Sequence, residues 1–289
     1  MPAGPRSRSA TDMPRRGGRR GSRALLAVPG GLVLLLFFAT PLLAIWTDAL
    51  AEPGSFRRVV ASPVFWRSLR GSLLLTVAAA TFSLVVGSLV ALHLSRLGVR
   101  SRQALMFVIA LPLTFSGLIV AYGFILAYGR AGFVTQTLAF LGADPVRLAG
   151  VLFSPIGLAF ASSYYLIPRV VLLVLPVLVN FEWTHIAAAE SLGARRWRAL
   201  ADVMLPQVFP TLIATFCLVA AVVFGAYGTA LALVGTRVSI LPLQLYSMIA
   251  ETGSDFPAAA ALSIVLTGCC TAIMAAGELV AARHEPRDA

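Results

Sequence analysis

The sequence predicts an all-α membrane protein with six transmembrane helices, on the evidence of its composition, its uncharged runs and the placement of its arginines. Hydrophobic residues make up 58% of the 289 residues and charged residues only 12%, and the mean hydropathy is +0.87. Soluble domains carry about 25% charged residues. Because so apolar a chain cannot expose most of its side chains to water, the composition predicts helices that cross a lipid bilayer.

Six runs without a charged residue are long enough to cross the hydrocarbon core, which takes about 20 residues of helix. They are Ala24–Thr47, Gly71–Leu92, Gln103–Gly129, Leu148–Pro168, Val203–Thr236 and Phe256–Gly277. The fourth run is expected to continue past Arg169, because the apolar stretch VVLLVLPVLVNF follows directly. Arg169 is then the most deeply placed charge; in the alternative, span four is shifted and Arg169 lies near its cytoplasmic end.

The arginines predict the orientation of the chain. They account for all 23 basic residues, and seven of them precede the first span, at positions 6, 8, 15, 16, 19, 20 and 23. The positive-inside rule therefore places the N-terminus in the cytoplasm, and six spans return the C-terminus to the same side. Since the other arginines fall between apolar runs, we interpret the net charge of +11 as contact with lipid head groups and not with nucleic acid.

The chain is predicted to contain one membrane domain, over residues 23–283. Residues 1–22 are rich in proline, glycine, serine and arginine and offer no apolar face, so they are predicted to be a disordered cytoplasmic segment. Residues 284–289 form a short cytoplasmic tail.

The stretch AAAESLGARRWRALADVMLP, Ala187–Pro206, is a patterned polar segment between the fourth and fifth spans. It predicts two short helices joined at Gly193, the second with an apolar face, and a turn into the next span at Pro206. That face consists of Trp197, Leu200, Ala201 and Met204. On periodicity alone the segment suits either docking into another protein or resting on the lipid surface.

This stretch resembles the cytoplasmic loop signature of binding-protein-dependent ABC transporter permeases. The signature is Glu-Ala-Ala, three residues, Gly, nine residues, then Ile-x-Leu-Pro. Its positions are matched in order by Ala188, Ala189, Gly193, Val203, Leu205 and Pro206. The departure is Ala187, which stands where the family has glutamate; Glu190 is not at the matching place.

The resemblance covers about residues 65–280 and implies the core of a type I ABC importer permease, with a cytoplasmic coupling helix between spans four and five. It implies three protein partners, namely a cytoplasmic ABC ATPase dimer, a second permease subunit and a periplasmic substrate-binding protein, in a bacterial inner membrane. The residues that it assigns to the ATPase-coupling loop are Ala187, Ala188, Ala189, Glu190, Gly193, Arg195, Trp197, Val203, Leu205 and Pro206.

The stretches FGAYGTALALVGT, ILPLQLYSMI and DFPAAAALSIVL, within residues 224–266, resemble the permease subgroup for polyamines, aminoethylphosphonate, ferric iron and thiamine. Tyr164, Tyr165 and Arg169 are the candidates for the translocation path, because a charge within a span usually faces protein or water.

No catalytic site, metal site or cofactor is predicted. The chain contains no lysine, so it cannot carry the Gly-Lys-Ser/Thr phosphate loop, and ATP hydrolysis is expected in a separate subunit. Two other classes of protein are alternatives. An ion- or proton-coupled secondary transporter is expected to show intramembrane acids or histidines, and an intramembrane enzyme needs a nucleophile with a partner, which Ser162 and Ser163 lack in sequence.

Overall fold

The structure is a computed structural model that describes residues 29–250 and 255–284. The predicted N-terminal segment, residues 1–22, and the chain beyond residue 284 lie outside the described residues. Every regular element of the described ranges is helical, which confirms the predicted all-α class.

The helices differ widely in length and are numbered here in chain order. They are α1 (Pro29–Ala51), α2 (Ser55–Ala61), α3 (Pro63–Ser95), α4 (Val99–Ala110), α5 (Gly117–Tyr128), α6 (Phe133–Phe140), α7 (Pro145–Leu152), α8 (Pro155–Asn180), α9 (Thr184–Ser191), α10 (Arg196–Ala199), α11 (Leu205–Phe224), α12 (Gly228–Val234), α13 (Leu241–Ala250) and α14 (Phe256–His284).

Within the described residues, six helical stretches are long and apolar enough to cross a membrane, as predicted. They are Pro29–Ala51, Pro63–Ser95, Gly117–Phe140, Pro155–Asn180, Arg196–Phe224 and Phe256–Arg283. The protein is therefore a multi-pass membrane protein. The first, second, fourth and sixth stretches overlap the predicted runs closely, whereas the third and fifth runs are each interrupted.

The third predicted run, Gln103–Gly129, is not one helix. α4 ends at Ala110, a 3₁₀ turn covers Leu111–Thr114, and Phe115 and Ser116 are extended before α5 begins. Pro112 lies in the 3₁₀ turn, where its missing N–H and fixed φ oppose an α-helical continuation. Ser116 then caps α5 by accepting a hydrogen bond from the Ile119 N–H.

The fifth predicted run, Val203–Thr236, is also wrong as a single span. α11 ends at Phe224, the backbone between Gly225 and Tyr227 is not helical, and α12 begins at Gly228. Two glycines within four residues weaken a helix, since glycine loses more conformational entropy than other residues. α13, whose Leu241 and Leu243 are buried, is a further helix that the sequence did not predict.

Residue contacts divide the chain into two units, Met1–Thr47 and Asp48–Ala289. In the described part of the first unit, α1 exposes large apolar side chains such as Leu34, Phe37 and Phe38. A helix that is apolar all round suits a lipid environment.

The core of the second unit is centred on α3 and α8, against which α11 and α12 pack. A second apolar cluster joins α2, α13 and the first turns of α14, and includes Phe65, Phe224 and Leu262. Arg169 lies near the middle of α8, since that helix runs from Pro155 to Asn180. The helix thus continues past Arg169 as expected, while the depth of Arg169 in the membrane stays a prediction.

Candidate functional site

The first candidate site is the segment that follows the fourth span and leads into the fifth, residues 181–206, called the interspan segment here. α9 ends in a left-handed glycine: Gly193 has φ of +91°. The Ala194 N–H donates to the Ala189 carbonyl and the Gly193 N–H to the Glu190 carbonyl. These two bonds are a Schellman motif, which closes the helix and turns the chain at the predicted glycine.

A small apolar cluster holds the interspan segment in shape. Ile186 of α9 and Ala199 of α10 are buried together with Phe181, and Leu200, Val203 and Met204 pack around them. The predicted apolar face is only partly right, because Trp197 is 63% exposed and Ala201 is exposed as well. A π-helical turn at Leu200–Met204 explains the difference, since its wider repeat shifts the register from the 3.6-residue period.

The predicted turn at Pro206 is wrong. The helical stretch runs without interruption from Arg196 to Phe224, so α10, the π turn and α11 form one rod. Pro206 lies at the start of α11, directly after the π turn, where the altered hydrogen-bond ladder accommodates its missing N–H. The interspan segment is thus continuous with the fifth span.

The exposed side of the interspan segment is mainly apolar at its tip. Ala187, Ala188 and Gly193 are exposed, and Leu192 is 89% exposed. Leu205 and Pro206 are exposed at the start of α11. Arg195 is exposed, and the Arg196 Nε atom lies 3.9 Å from Glu190 Oε1, which places a polar pair beside the turn.

One aromatic residue connects this segment to the end of the second span. The Arg96 guanidinium, just after α3, lies 4.8 Å from the ring centre of Trp183. Trp183 in turn packs edge-on against Phe181, with ring centres 5.2 Å apart. A cation over an aromatic face is attracted to it, so α3 and the interspan segment are held together at this point.

The second candidate site is a cavity of about 240 Å³ beside Arg169. Arg169 and Tyr165, one helical turn apart on α8, line it. Both interruptions of the predicted spans open onto the same cavity. The first interruption and the helix start after it contribute Leu113, Phe115 and Gly117. The second interruption and the helix ends beside it contribute Val222, Ala226, Gly228 and Thr229.

Thr229 is a lining residue that the sequence analysis missed. Its side chain is 3% exposed, and a Cβ atom on Gly117 would lie 2.4 Å from Thr229 Oγ1. Glycine at 117 therefore lets the threonine hydroxyl approach the first turn of α5. The available sequence signal was length: both interrupted runs exceed one span and contain Pro or Gly near the interruption.

Tyr164 does not share the Arg169 cavity. It lines a separate cavity of about 480 Å³ with Phe124, Tyr128 and Phe160. The Tyr164 ring packs edge-on against Phe124, with ring centres 5.9 Å apart. Of the three predicted path residues, the structure brings Tyr165 and Arg169 together and places Tyr164 in this aromatic cluster.

Residues 83–287 match the family described as binding-protein-dependent transport system inner membrane components. The chain belongs to this family. This membership confirms the family that the sequence resembled. The chain is therefore a multi-pass transmembrane permease of the ABC importer type. This membership also favours the importer over the secondary transporter.

Among relatives, Sulfate permease 2, chloroplastic, of Chlamydomonas reinhardtii is 29% identical over 82% of this chain, which spans 63% of that relative. The spermidine/putrescine transport system permease protein PotB of Escherichia coli is 26% identical over 84% of this chain and 91% of its own length. The predicted subgroup included polyamine permeases but not sulfate permeases.

The fold has a close match among solved structures. A chain in the crystal structure of a bacterial alginate ABC transporter, in complex with an alginate pentasaccharide-bound periplasmic protein, aligns with a TM-score of 0.74. The alignment covers 92% of this chain and 95% of that one at 18% identity. It supports the six-span permease architecture.

Proposed function

We propose that this chain is the transmembrane permease subunit of an ATP-driven importer, with both termini in the cytoplasm. It forms part of the path for a small solute that a periplasmic binding protein delivers. A second permease subunit, identical or related, completes the path. ATP is hydrolysed by a separate cytoplasmic ATPase dimer, and this chain itself is not an enzyme.

The observation that carries this proposal is the construction of the interspan segment. Its own apolar cluster and the Schellman turn at Gly193 give it a fixed shape, while Ala187, Ala188, Leu192 and Trp197 face outward. A pre-shaped, exposed apolar surface suits docking into a cleft of another protein, because little conformational entropy is lost on binding.

Two connections transmit movement from this surface into the membrane region. The uninterrupted rod from Arg196 to Phe224 joins the segment to the fifth span, and Arg96 over Trp183 joins it to the second. Closure of an ATPase dimer that holds the segment would therefore tilt both spans. Alanine at 187 removes the carboxylate that the family signature has there, so Glu190 and Arg196 supply the polar contacts beside the turn.

The test is co-purification of the ATPase with this chain in detergent, for wild type, Gly193→Pro and Gly142→Pro. Proline cannot adopt φ of +91° and removes the N–H that Gly193 donates. Gly142 is a matched control, since it has φ of +92°, donates to the Ala139 carbonyl and likewise ends a helix.

We expect wild type and Gly142→Pro to retain the ATPase and Gly193→Pro to lose it, at equal amounts of permease in the membrane. Retention by Gly193→Pro, or failure of wild type to bind any ATPase, would contradict the docking role. Equal loss in both variants would show a general effect of the backbone lesion and would also contradict it.

A further inference from the structure

The cavity beside Arg169 has the chemistry of an anion site. Three of its lining side chains have hydrogen-bond donors: the Arg169 guanidinium and the hydroxyls of Tyr165 and Thr229. None of the nine lining residues is acidic. A cavity with a fixed positive charge and no carboxylate attracts anions and repels cations.

None of these three side chains has a partner among the residues that the structure describes. Neither an ion pair nor a hydrogen bond is made by the Arg169 guanidinium, by the Tyr165 hydroxyl or by the Thr229 hydroxyl with any described residue. Tyr165 is 9% exposed and Thr229 is 3% exposed, so protein encloses most of both residues. Their hydroxyls are therefore free to donate to a ligand that enters the cavity.

The start of α5 adds donors on the same side. The first N–H groups of a helix have no partner within it, and they favour negative charge. Ser116 Oγ accepts from the Ile119 N–H, while the Gly117 and Leu118 N–H groups have no acceptor in the described structure. Because Gly117 has no side chain, Thr229 Oγ1 lies beside this helix end.

We infer that the cavity bounded by Tyr165, Arg169 and Thr229 binds a compact oxyanion, so the solute carried is of the sulfate, phosphate or phosphonate class. The inference rests on the proposed permease function and specifies its substrate. A guanidinium binds two oxygens of such an anion at once, and hydroxyl and backbone N–H donors can contact the others. The cavity, at about 240 Å³, is several times the roughly 30 Å³ that a water molecule occupies in the liquid.

The same chemistry selects against a polyamine. A dication placed beside Arg169 would meet a like charge in a region of low dielectric, with no carboxylate of the lining to offset it. Of the two kinds of relative reported above, one is named for an anion, sulfate, which this cavity would attract. The other is named for cations, spermidine and putrescine, which it would repel.

The test is uptake into proteoliposomes that contain the complete importer, with its ATPase, partner permease and binding protein. The probes are radiolabelled sulfate, phosphate, 2-aminoethylphosphonate and putrescine. We expect ATP-dependent uptake of one of the three anions. Arg169→Gln should lower that rate about tenfold or more, since it removes a charge-assisted contact. Arg169→Lys should retain more of the rate, and Thr229→Val should lower it severalfold.

Arg147→Gln is the matched control, because its side chain is 90% exposed at α7 and lines no part of the cavity. Its anion uptake should equal that of wild type. Should Arg169→Gln fail to reach the membrane, Arg169→Lys and Thr229→Val decide, since lysine keeps the charge and valine keeps the shape. Equal uptake in these two variants and wild type would overturn the site.

Stimulation of the ATPase by the loaded binding protein separates the two proposals. An importer that shows this stimulation but carries only putrescine overturns the anion site and leaves the permease function intact. Undiminished anion uptake by Arg169→Gln likewise overturns the anion site and leaves the permease function intact. An importer whose ATPase never responds to the binding protein contradicts the permease function itself, and the anion site falls with it.

Discussion

Gly87 on α3 lies so close to Val170 on α8 that a Cβ atom at position 87 would come within 2.6 Å of Val170 Cβ and 3.2 Å of the Ile167 carbonyl oxygen. α3 and α8 make the most extensive helix pairing in the described structure. Such contacts at small residues bring two helix backbones together, which is how helices associate in a membrane. Because Val170 adjoins Arg169, this crossing also sets the position of the cavity wall.

We predict that Gly87→Ala destabilises the protein by about 1–3 kcal/mol, the usual cost of overpacking a close contact. Val170 is β-branched and fully buried, so it has no free rotamer by which to yield. The measurement is the midpoint of thermal unfolding in detergent. Gly268→Ala on α14 is the control, since no atom lies within 4 Å of its Cβ position, and its midpoint should stay level or rise. Equal midpoints in the two variants would contradict the tight crossing.

A second prediction concerns the hydrogen bond from the Leu241 N–H to Ser72 Oγ, 2.9 Å long and buried. Ser72→Ala should cost about 1–3 kcal/mol, because a buried N–H at the start of α13 loses its acceptor. The control is Ser191→Ala, whose exposed hydroxyl bonds only the Ala188 carbonyl of its own helix. Hydrogen exchange at the Leu241 N–H should be faster in Ser72→Ala than in wild type and unchanged in Ser191→Ala. Unchanged exchange in Ser72→Ala would refute a stabilising role for this hydrogen bond.

The sequence predicts most of what depends on local composition. Uncharged runs identify six spans, and the loop signature identifies the turn at Gly193, because a left-handed glycine and a Leu-Pro ending are local features. The continuation of the fourth helix past Arg169 also follows, since the stretch after Arg169 is uniformly apolar.

What depends on contacts between distant residues could not be predicted. The interruptions before Gly117 and Gly228 lie within uncharged runs, where hydropathy alone detects no change. That the two interruptions meet around Arg169, and that Thr229 faces Gly117, follows from helix packing between segments more than 100 residues apart in sequence. The exposure of Trp197 depends on a π turn, which a 3.6-residue periodicity does not represent.

The third prediction is that the ion-pair cluster of Glu52, Arg58 and Asp255 makes the thermal stability of the protein depend on pH. Arg58 Nη1 and Nη2 lie 2.7 Å from the two Glu52 carboxylate oxygens, and Nη2 lies 3.3 Å from Asp255 Oδ1. Asp255 also accepts from the Ala258 N–H at the start of α14. The hydrogen bonds from Arg58 lower the pKa of Glu52 below its ordinary value of 4.5.

The pKa of Glu52 is lower in the folded state than in the unfolded state. Its ion pair therefore contributes fully to stability when the pH is above the unfolded-state pKa, and the contribution disappears as the pH falls through the folded-state pKa. The cluster is partly exposed, so we expect a small effect that high salt weakens. The measurement is the thermal midpoint of wild type and Arg58→Gln as the pH falls through this range, at low and high salt. The gap between them should close at the acidic end. Arg67→Gln is the control, because Arg67 is exposed and forms no ion pair with a described residue. Its thermal midpoint should change with pH as that of wild type does. A difference in midpoint between wild type and Arg58→Gln that is independent of pH would refute the ion pair's role.

The last prediction tests whether the contact between Arg96 and Trp183 couples the second span to the interspan segment. The 4.8 Å separation is suited to a cation–π attraction, worth about 0.5–1 kcal/mol at an exposed site. Arg96→Gln should therefore leave assembly with the ATPase intact but lower the amount of solute imported per ATP hydrolysed by roughly two- to fivefold.

Both rates are measured in the same proteoliposomes, so that their ratio is independent of the amount of importer present. Arg100→Gln is the matched control, because Arg100 is exposed on α4 and makes no ion pair or cation–π contact with a described residue. A reduced ratio in Arg96→Gln alone means that the second span follows the interspan segment through Trp183. If the ratio is unchanged, the movement passes through the continuous rod of the fifth span, Arg196–Phe224, and the contact at Trp183 serves only to fix the resting shape.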